Sequence, residues 1–214
     1  ANRELFNEDL KVALDSLGID KDRKCALLFV DLDRFKQVND TLGHDRGDEL
    51  LVESARRIRD CLRDADTAYR FGGDEFTVLL AGIHQTRDAL IVGERILASI
   101  RQPFFLSGAR DTPVNVGVSV GIAVVPDHGR TVQEVTKCAD IAMYRSKDAG
   151  KGRCTVYDTV MDARVAGRWR MAQNIRSALV KGDFRLYYQP IVDQAGMICG
   201  LEALLRWPQE NGEW

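Results

Sequence analysis

The chain has 214 residues, 45% apolar and 29% charged, with a net charge of -2 at pH 7; this balance excludes disordered and fibrous classes and allows about one to one and a half ordinary domains. Near-neutral charge argues against DNA or RNA as a partner but leaves room for a local basic cluster around a phosphorylated small ligand. No apolar run approaches the roughly 20 residues of a membrane span, the opening residues do not read as a signal peptide, and the five cysteines form no CxxC pair or Cys/His cluster that would mark a zinc site or a disulfide framework; a reducing cytoplasm and no membrane contact are expected.

Along the chain, residues 3–17 place Leu5, Phe6, Leu10, Val12, Ala13 and Leu17 near helical spacing. Residues 25–30 form a short continuous apolar run, the pattern of a strand buried on both faces. After His44, the residues Leu50, Leu51, Ala55, Ile58 and Leu62 share one helical stripe. Two β-rich runs, 67–71 and 76–80, flank Gly72-Gly73-Asp74-Glu75 and read as a hairpin. Residues 89–100 are helical, and 114–125 alternate as a packed strand. Thr131 and Glu134 form a capping box that opens a helix to about Lys147. A short strand near 154–157, an Arg-rich helical stretch over 160–179, and strands at 184–192 and 197–205 complete the order. Hairpins mixed with helical crossovers predict an α/β (α+β) fold with a central mixed, mostly antiparallel sheet flanked by helices.

Chemistry gathers at the hairpin tip. Gly72 and Gly73 remove Cβ atoms, which lets backbone approach a phosphate, and the carboxylates Asp74 and Glu75 follow directly. Taken alone, this is more often an ordinary turn with solvated acids. A second acidic pair, Asp31 and Asp33, ends the buried apolar run, where open α/β sheets commonly place ligands. If that strand neighbours the hairpin, Asp31 and Asp74 or Glu75 converge, the minimum set for magnesium shared with substrate phosphates. Arg63-Asp64-Ala65-Asp66 by itself is a charged helix end, and Lys147 and Lys151 share a helical face only if the helix persists.

These residues resemble a known family. Phe71-Gly72-Gly73-Asp74-Glu75-Phe76 is similar to the motif of GGDEF diguanylate cyclases, and Asp31-Leu32-Asp33-Arg34-Phe35-Lys36-Gln37-Val38-Asn39-Asp40 with Gly43 to Asp48 resembles its second block. The resemblance implies a nucleotide-cyclase or polymerase-palm fold and condensation of two GTP into cyclic di-GMP across a homodimer, with two Mg2+ (or Mn2+) per site. It implies that Asp31, the Leu32 carbonyl, Asp74 and Glu75 hold metal, and that Glu75 also accepts the proton of the attacking hydroxyl. Asn39 and Asp48 match guanine readers, and an acceptor-only Asp suits the guanine N1–H and N2–H2 donors. Phe35, Lys36, Gly72, Gly73, Lys147 and Lys151 match further GTP contacts. The chain departs from the family at Gly150-Lys151-Gly152, where Gly-Arg-Asn is usual; lysine keeps the charge and loses the bidentate fork, with Arg153 as a candidate substitute. Arg63 and Asp66 stand at the register of the family's RxxD inhibitory site for cyclic di-GMP, and Arg95 resembles its secondary arginine.

Leu186-Tyr187-Tyr188-Gln189-Pro190-Ile191-Val192 and Glu202-Ala203-Leu204-Leu205-Arg206-Trp207 resemble the opening strands of EAL phosphodiesterases, with Glu202 at the metal position and Gln189 and Arg206 near substrate. The expected organisation is a cyclase domain over 1–158, a helical linker over 159–179 and the truncated start of a TIM-type barrel over 180–214, too short for hydrolysis because such a barrel takes about 250 residues. Asn2, Arg3 and Phe6 fall inside the family's opening block, so an upstream input segment is expected, with membrane anchoring of a longer parent left open. The alternative function is a catalytically weak GTP-binding module that tunes an attached phosphodiesterase.

Overall fold

Strand β1 (Lys24–Asp33) is buried along nearly its whole length, and the first unit of the chain is arranged around it. The computed structural model describes residues 3–17, 23–107, 113–161, 175, 178–179, 182–194 and 196–207. It divides into two compact units, Ala1–Asp162 and Ala163–Trp214.

In the first unit, α1 (Arg3–Leu17) precedes β1, followed by α2 (Phe35–Leu42), α3 (His44–Asp60), the hairpin β2 (Thr67–Gly72) and β3 (Glu75–Ile83), α4 (Thr86–Ile100), β4 (Gly117–Val125), α5 (Val132–Asp148) and β5 (Cys154–Val156). The sheet order is β2-β3-β1-β4-β5, antiparallel except for the parallel β4–β5 pair. The mixed, mostly antiparallel sheet flanked by helices is therefore observed.

Side chains alternate across a strand, and β1 divides its residues accordingly. Ala26, Leu28, Val30 and Leu32 join the core with Leu50, Ile58, Ile96 and Phe104, on the face of α3 and α4. Each such buried aliphatic side chain contributes roughly 1.5–3 kcal/mol relative to exposure. Leu27, Phe29, Asp31 and Asp33 point to the opposite face. There the rings of Phe6 on α1, Phe71 and Phe29 meet edge to face at 5.6 and 5.1 Å. Helix α5 lies so close to this face that a Cβ on Gly121 would stand 2.0 Å from Met143 N and 2.2 Å from Ala139 O.

Helix α5 begins at the anticipated cap: Thr131 accepts from the Glu134 N–H, and the Glu134 side chain accepts from the Thr131 N–H. Helix α2 was not anticipated, although Phe35, Val38 and Leu42 have helical spacing. The packed strand starts at Gly117 rather than 114; Val114 instead forms an isolated bridge with Phe104. The expected linker 160–179 lies mostly outside the described residues. In the second unit β6 (Arg185–Val192) and β7 (Ile198–Arg206) form an antiparallel two-stranded ribbon. Among the described residues no helix is long and apolar enough to cross a membrane.

Candidate functional site

The C-terminal end of β1 and the start of β3 bring the two acidic pairs to one sheet edge. Asp31 and Glu75 are register partners, and the Leu32 N–H donates to the Asp74 carbonyl at 3.3 Å. Alternation puts Asp31 and Glu75 on the α1/α5 face. Asp31 is only 6% exposed. Burial pushes its carboxyl above the ordinary carboxylate range, and Lys147, with Nζ 2.6 Å from Asp31 Oδ2, opposes that shift. Glu75 is raised by burial and then by the negative charge of Asp31.

The turn between β2 and β3 faces open space, since a Cβ at Gly72 or Gly73 would meet no atom within 4 Å. Gly73 has φ +46°, a left-handed conformation that glycine adopts without strain. Arg70 braces the turn by donating from Nε and a terminal nitrogen to the Gly73 carbonyl at 3.1 and 3.0 Å. Sequence reasoning did not single out Arg70; its position one residue before the motif was the available signal.

On the opposite face, α2 carries Phe35, Lys36 and Asn39, and α3 carries Asp48. Phe35 is buried, Lys36 and Asp48 are exposed, and Asp48 lines a groove of about 730 Å³ with Leu51, Ala55, Ala68 and Phe76. Asn39 Oδ1 is buried without a hydrogen-bond partner and lies against Gly47, where a Cβ would stand 1.7 Å from it. A second groove, about 580 Å³, opens beside Glu75 between Asn7, Phe71, Thr136 and Asp140.

Lys147 and Lys151 do not share a helical face, because the helix ends beside Lys147, where the sequence places its end, and does not persist to Lys151. Helix α5 stops at Asp148, and Lys151 has φ +64°, its N–H donating to the Ser146 carbonyl at 3.0 Å. The glycines on either side permit the reversal. Arg153 is exposed, with Nε 3.4 Å from the Lys151 carbonyl.

The residues fit a hard divalent cation. Among the described residues no three His, Cys, Asp or Glu converge as a closed metal cluster. Magnesium does not need one, because it retains waters and binds through one or two carboxylates plus substrate phosphates. Asp31, Asp74 and Glu75 at one edge supply that partial, all-oxygen set.

Farther along, Arg63 and Asp66 share one turn. Asp66 is buried, its Oδ2 accepts from the Arg63 backbone N–H and Nε at 3.2 and 3.3 Å, and its Oδ1 is buried without a partner. The Arg63 side chain remains 60% exposed. Arg95 crosses from α4 to donate to the Cys61 carbonyl, two residues before Arg63. In the ribbon, Gln189 and Glu202 are register partners, while Arg206 pairs with Arg185.

The family described as "Diguanylate cyclase, GGDEF domain" matches residues 1–153. The chain belongs to the GGDEF diguanylate cyclase family. As a GGDEF protein it is 40% identical over 207 residues to the bifunctional diguanylate cyclase/cyclic di-GMP phosphodiesterase MucR of Pseudomonas aeruginosa, covering 96% of this chain and 30% of MucR. It is 42% identical over 151 residues to the diguanylate cyclase TpbB of the same organism, covering 71% of this chain and 34% of TpbB. The chain thus spans about a third of the length of these relatives. Its structure is similar to that of the TpbB GGDEF domain, with a TM-score of 0.74 at 38% identity over 77% of this chain and 94% of that one. It also resembles the GGDEF domain of DgcB from Caulobacter crescentus in complex with cyclic di-GMP, with a TM-score of 0.66 at 27% identity over 73% of this chain and 90% of that one.

Proposed function

We propose that this GGDEF domain synthesises cyclic di-GMP from two GTP, each held by one of two facing copies. The register pairing of Asp31 with Glu75, both on the α1/α5 face, carries this reading. Asp31, the Leu32 carbonyl, Asp74 and Glu75 would hold two Mg2+ or Mn2+ ions, which supply charge neutralisation for the transferring phosphoryl group. Asn39 and Asp48 read guanine, Phe35, Gly72 and Gly73 border the nucleotide, and Lys36, Lys147 and Lys151 hold the triphosphate.

In each half-reaction the 3′-hydroxyl oxygen of one GTP forms a bond to the α-phosphorus of the other. The bond from that phosphorus to the bridging oxygen of the β-phosphate breaks, and pyrophosphate leaves. Glu75 accepts the hydroxyl proton; its raised proton affinity suits that task. Two such steps close the cyclic product and release two pyrophosphates. Product returning to Arg63, Asp66 and Arg95 slows the enzyme, a role supported by the buried, unpartnered Asp66 Oδ1. Residues 1–158 form the cyclase domain, 159–179 the linker and 180–214 the start of an EAL domain, with Gln189, Glu202 and Arg206 as its remnant site.

Incubating the purified chain with GTP and magnesium, then separating nucleotides by chromatography, tests this reading. Cyclic di-GMP formed by the wild type and absent with Glu75→Gln supports it. GTP bound but never converted, even under enforced dimerisation, overturns it in favour of a nucleotide-sensing module for an attached phosphodiesterase. The observation favouring that second reading is the Lys147–Asp31 ion pair, which engages an expected metal ligand.

A further inference from the structure

Asp33, the second carboxylate of the Asp31-Leu32-Asp33 run, has a different environment from Asp31. It is 6% exposed, and both of its oxygens are engaged. Ser119 Oγ donates to Oδ1 at 2.8 Å, and the Gly152 backbone N–H donates to Oδ2 at 3.1 Å. Its register partner on β4 is Gly117, where a Cβ would stand 2.9 Å from Asp33 Oδ2. The carboxylate therefore sits in a slot between β4 and the segment that follows α5.

That segment takes an unusual path. Gly150, Lys151 and Gly152 have φ of +109°, +64° and +59° in succession. Glycine accepts such angles freely, whereas Lys151 holds a sparsely populated conformation that persists only where its surroundings enforce it. Three contacts do so. The Lys151 N–H donates to the Ser146 carbonyl at 3.0 Å, Asp33 takes the Gly152 N–H, and Arg101 at the end of α4 donates to the Gly152 carbonyl at 2.5 Å. One residue later the Arg153 carbonyl accepts from the Val120 N–H at 2.9 Å and the chain enters β5. Asp33 and Arg101 thus grip Gly152 from its two sides, directly after the expected phosphate-binding lysine.

We propose that Asp33 is a positioning residue for triphosphate binding: by holding the Gly152 N–H it fixes the left-handed turn that sets Lys151 relative to Lys147 and the Asp31–Glu75 edge. With Oδ1 held by Ser119 and Oδ2 by Gly152, Asp33 acts through the loop. This rests on the cyclase reading, in which Lys151 contacts GTP.

The test is calorimetric binding, to the full chain with magnesium, of a non-hydrolysable GTP analogue and, separately, of GMP. Asp33→Ala, and Asp33→Leu, which keeps the branched four-atom outline if alanine fails to fold, are expected to weaken the GTP analogue about tenfold, the loss from freeing one charge-assisted bond. GMP affinity stays unchanged, because GMP lacks the phosphates Lys151 serves. Asp33→Asn, which can still accept from Gly152 and donate to Ser119, restores most of the loss. Lys151→Ala weakens the analogue in the wild type and adds nothing to Asp33→Leu. Equal weakening of GMP and the analogue, or a Lys151→Ala effect of the same size in both backgrounds, overturns the proposal while the cyclase reading survives. A wild-type chain that binds neither nucleotide overturns both.

Discussion

Lys147 Nζ stands 2.6 Å from Asp31 Oδ2, joining the last turn of α5 to the strand end that faces Glu75. The lysine offsets the charge of a buried carboxylate in the nucleotide-free protein and competes with any cation for it. Lys147→Gln is therefore expected to act in opposite directions on the two ligands. Magnesium binding tightens, while a non-hydrolysable GTP analogue binds about tenfold more weakly or worse, the loss of a charged hydrogen bond. Separate calorimetric titrations with each ligand check this; parallel weakening of both would instead make the lysine a structural support for Asp31.

Asn39 and Gly47 make a second expectation. The Asn39 Oδ1 is buried, unpartnered and seated where a Gly47 Cβ would fall. Gly47→Ala must push the amide aside, so the preference for GTP over ATP is expected to drop by about tenfold or more, since a polar reader left out of place loses its discrimination. Competitive binding of the two nucleotides measures it, and an unchanged preference would remove Asn39 from base recognition.

Product feedback is tested at Arg63, whose side chain is bonded through Nε to the buried Asp66 and otherwise largely exposed to a ligand. Arg63→Ala is expected to raise the concentration of cyclic di-GMP needed for half-inhibition by about ten- to a hundredfold. Progress curves that still level off as product accumulates would assign the group a purely structural role.

His128 sets a pH dependence away from the acidic edge. Its Nδ1 accepts from the Val124 N–H at 2.9 Å, which only an unprotonated nitrogen can do, and burial lowers its pKa from the ordinary 6.5. The unfolded chain therefore binds the proton more readily than the folded one. The contribution of His128 is fully present above the ordinary value and is lost as pH falls below it. Denaturation in urea at about pH 7.5 and about pH 5 should show a larger acid loss in the wild type than in His128→Asn, which keeps an acceptor that does not titrate. Equal losses would dismiss the imidazole as the cause.

Gly121→Ala should be among the most damaging substitutions of a single small residue. The added Cβ would meet backbone of α5 on two sides, and a helix backbone cannot rotate away as a side chain can. A loss of more than about 2 kcal/mol is expected in urea titrations, with GTP binding impaired as Lys147 shifts with its helix.

Much of this was legible in the sequence because periodicity and turn chemistry are local. The apolar run of β1, the Gly72-Gly73 hairpin and the Thr131–Glu134 cap all lie where their residue types require. The convergence of Asp31 and Glu75 was conditional on strand order, which no local pattern encodes, and the register now supplies it. Asp33 and Arg101 were illegible for the same reason: their partner Gly152 is 119 residues from one and 51 from the other. The end of α5 beside Lys147 was legible, but the left-handed reversal after it was not, because Lys151 is not a residue that announces one; its glycine neighbours were the available signal.

The β6–β7 ribbon bears on any attempt to count chains in solution. Leu186, Tyr188, Ile191, Met197, Ile198 and Leu201 are all more than half or half exposed there, and a lone two-stranded ribbon is marginal in water and offers open backbone edges to another copy. If the proposed reaction pairs two facing copies, mass measured by light scattering would mix that dimer with an adhesive one. Concentration-dependent turnover, rather than hydrodynamic size, becomes the sound index of catalytic pairing. Charge-introducing changes such as Leu186→Lys and Leu201→Lys offer a way to silence the adhesive kind.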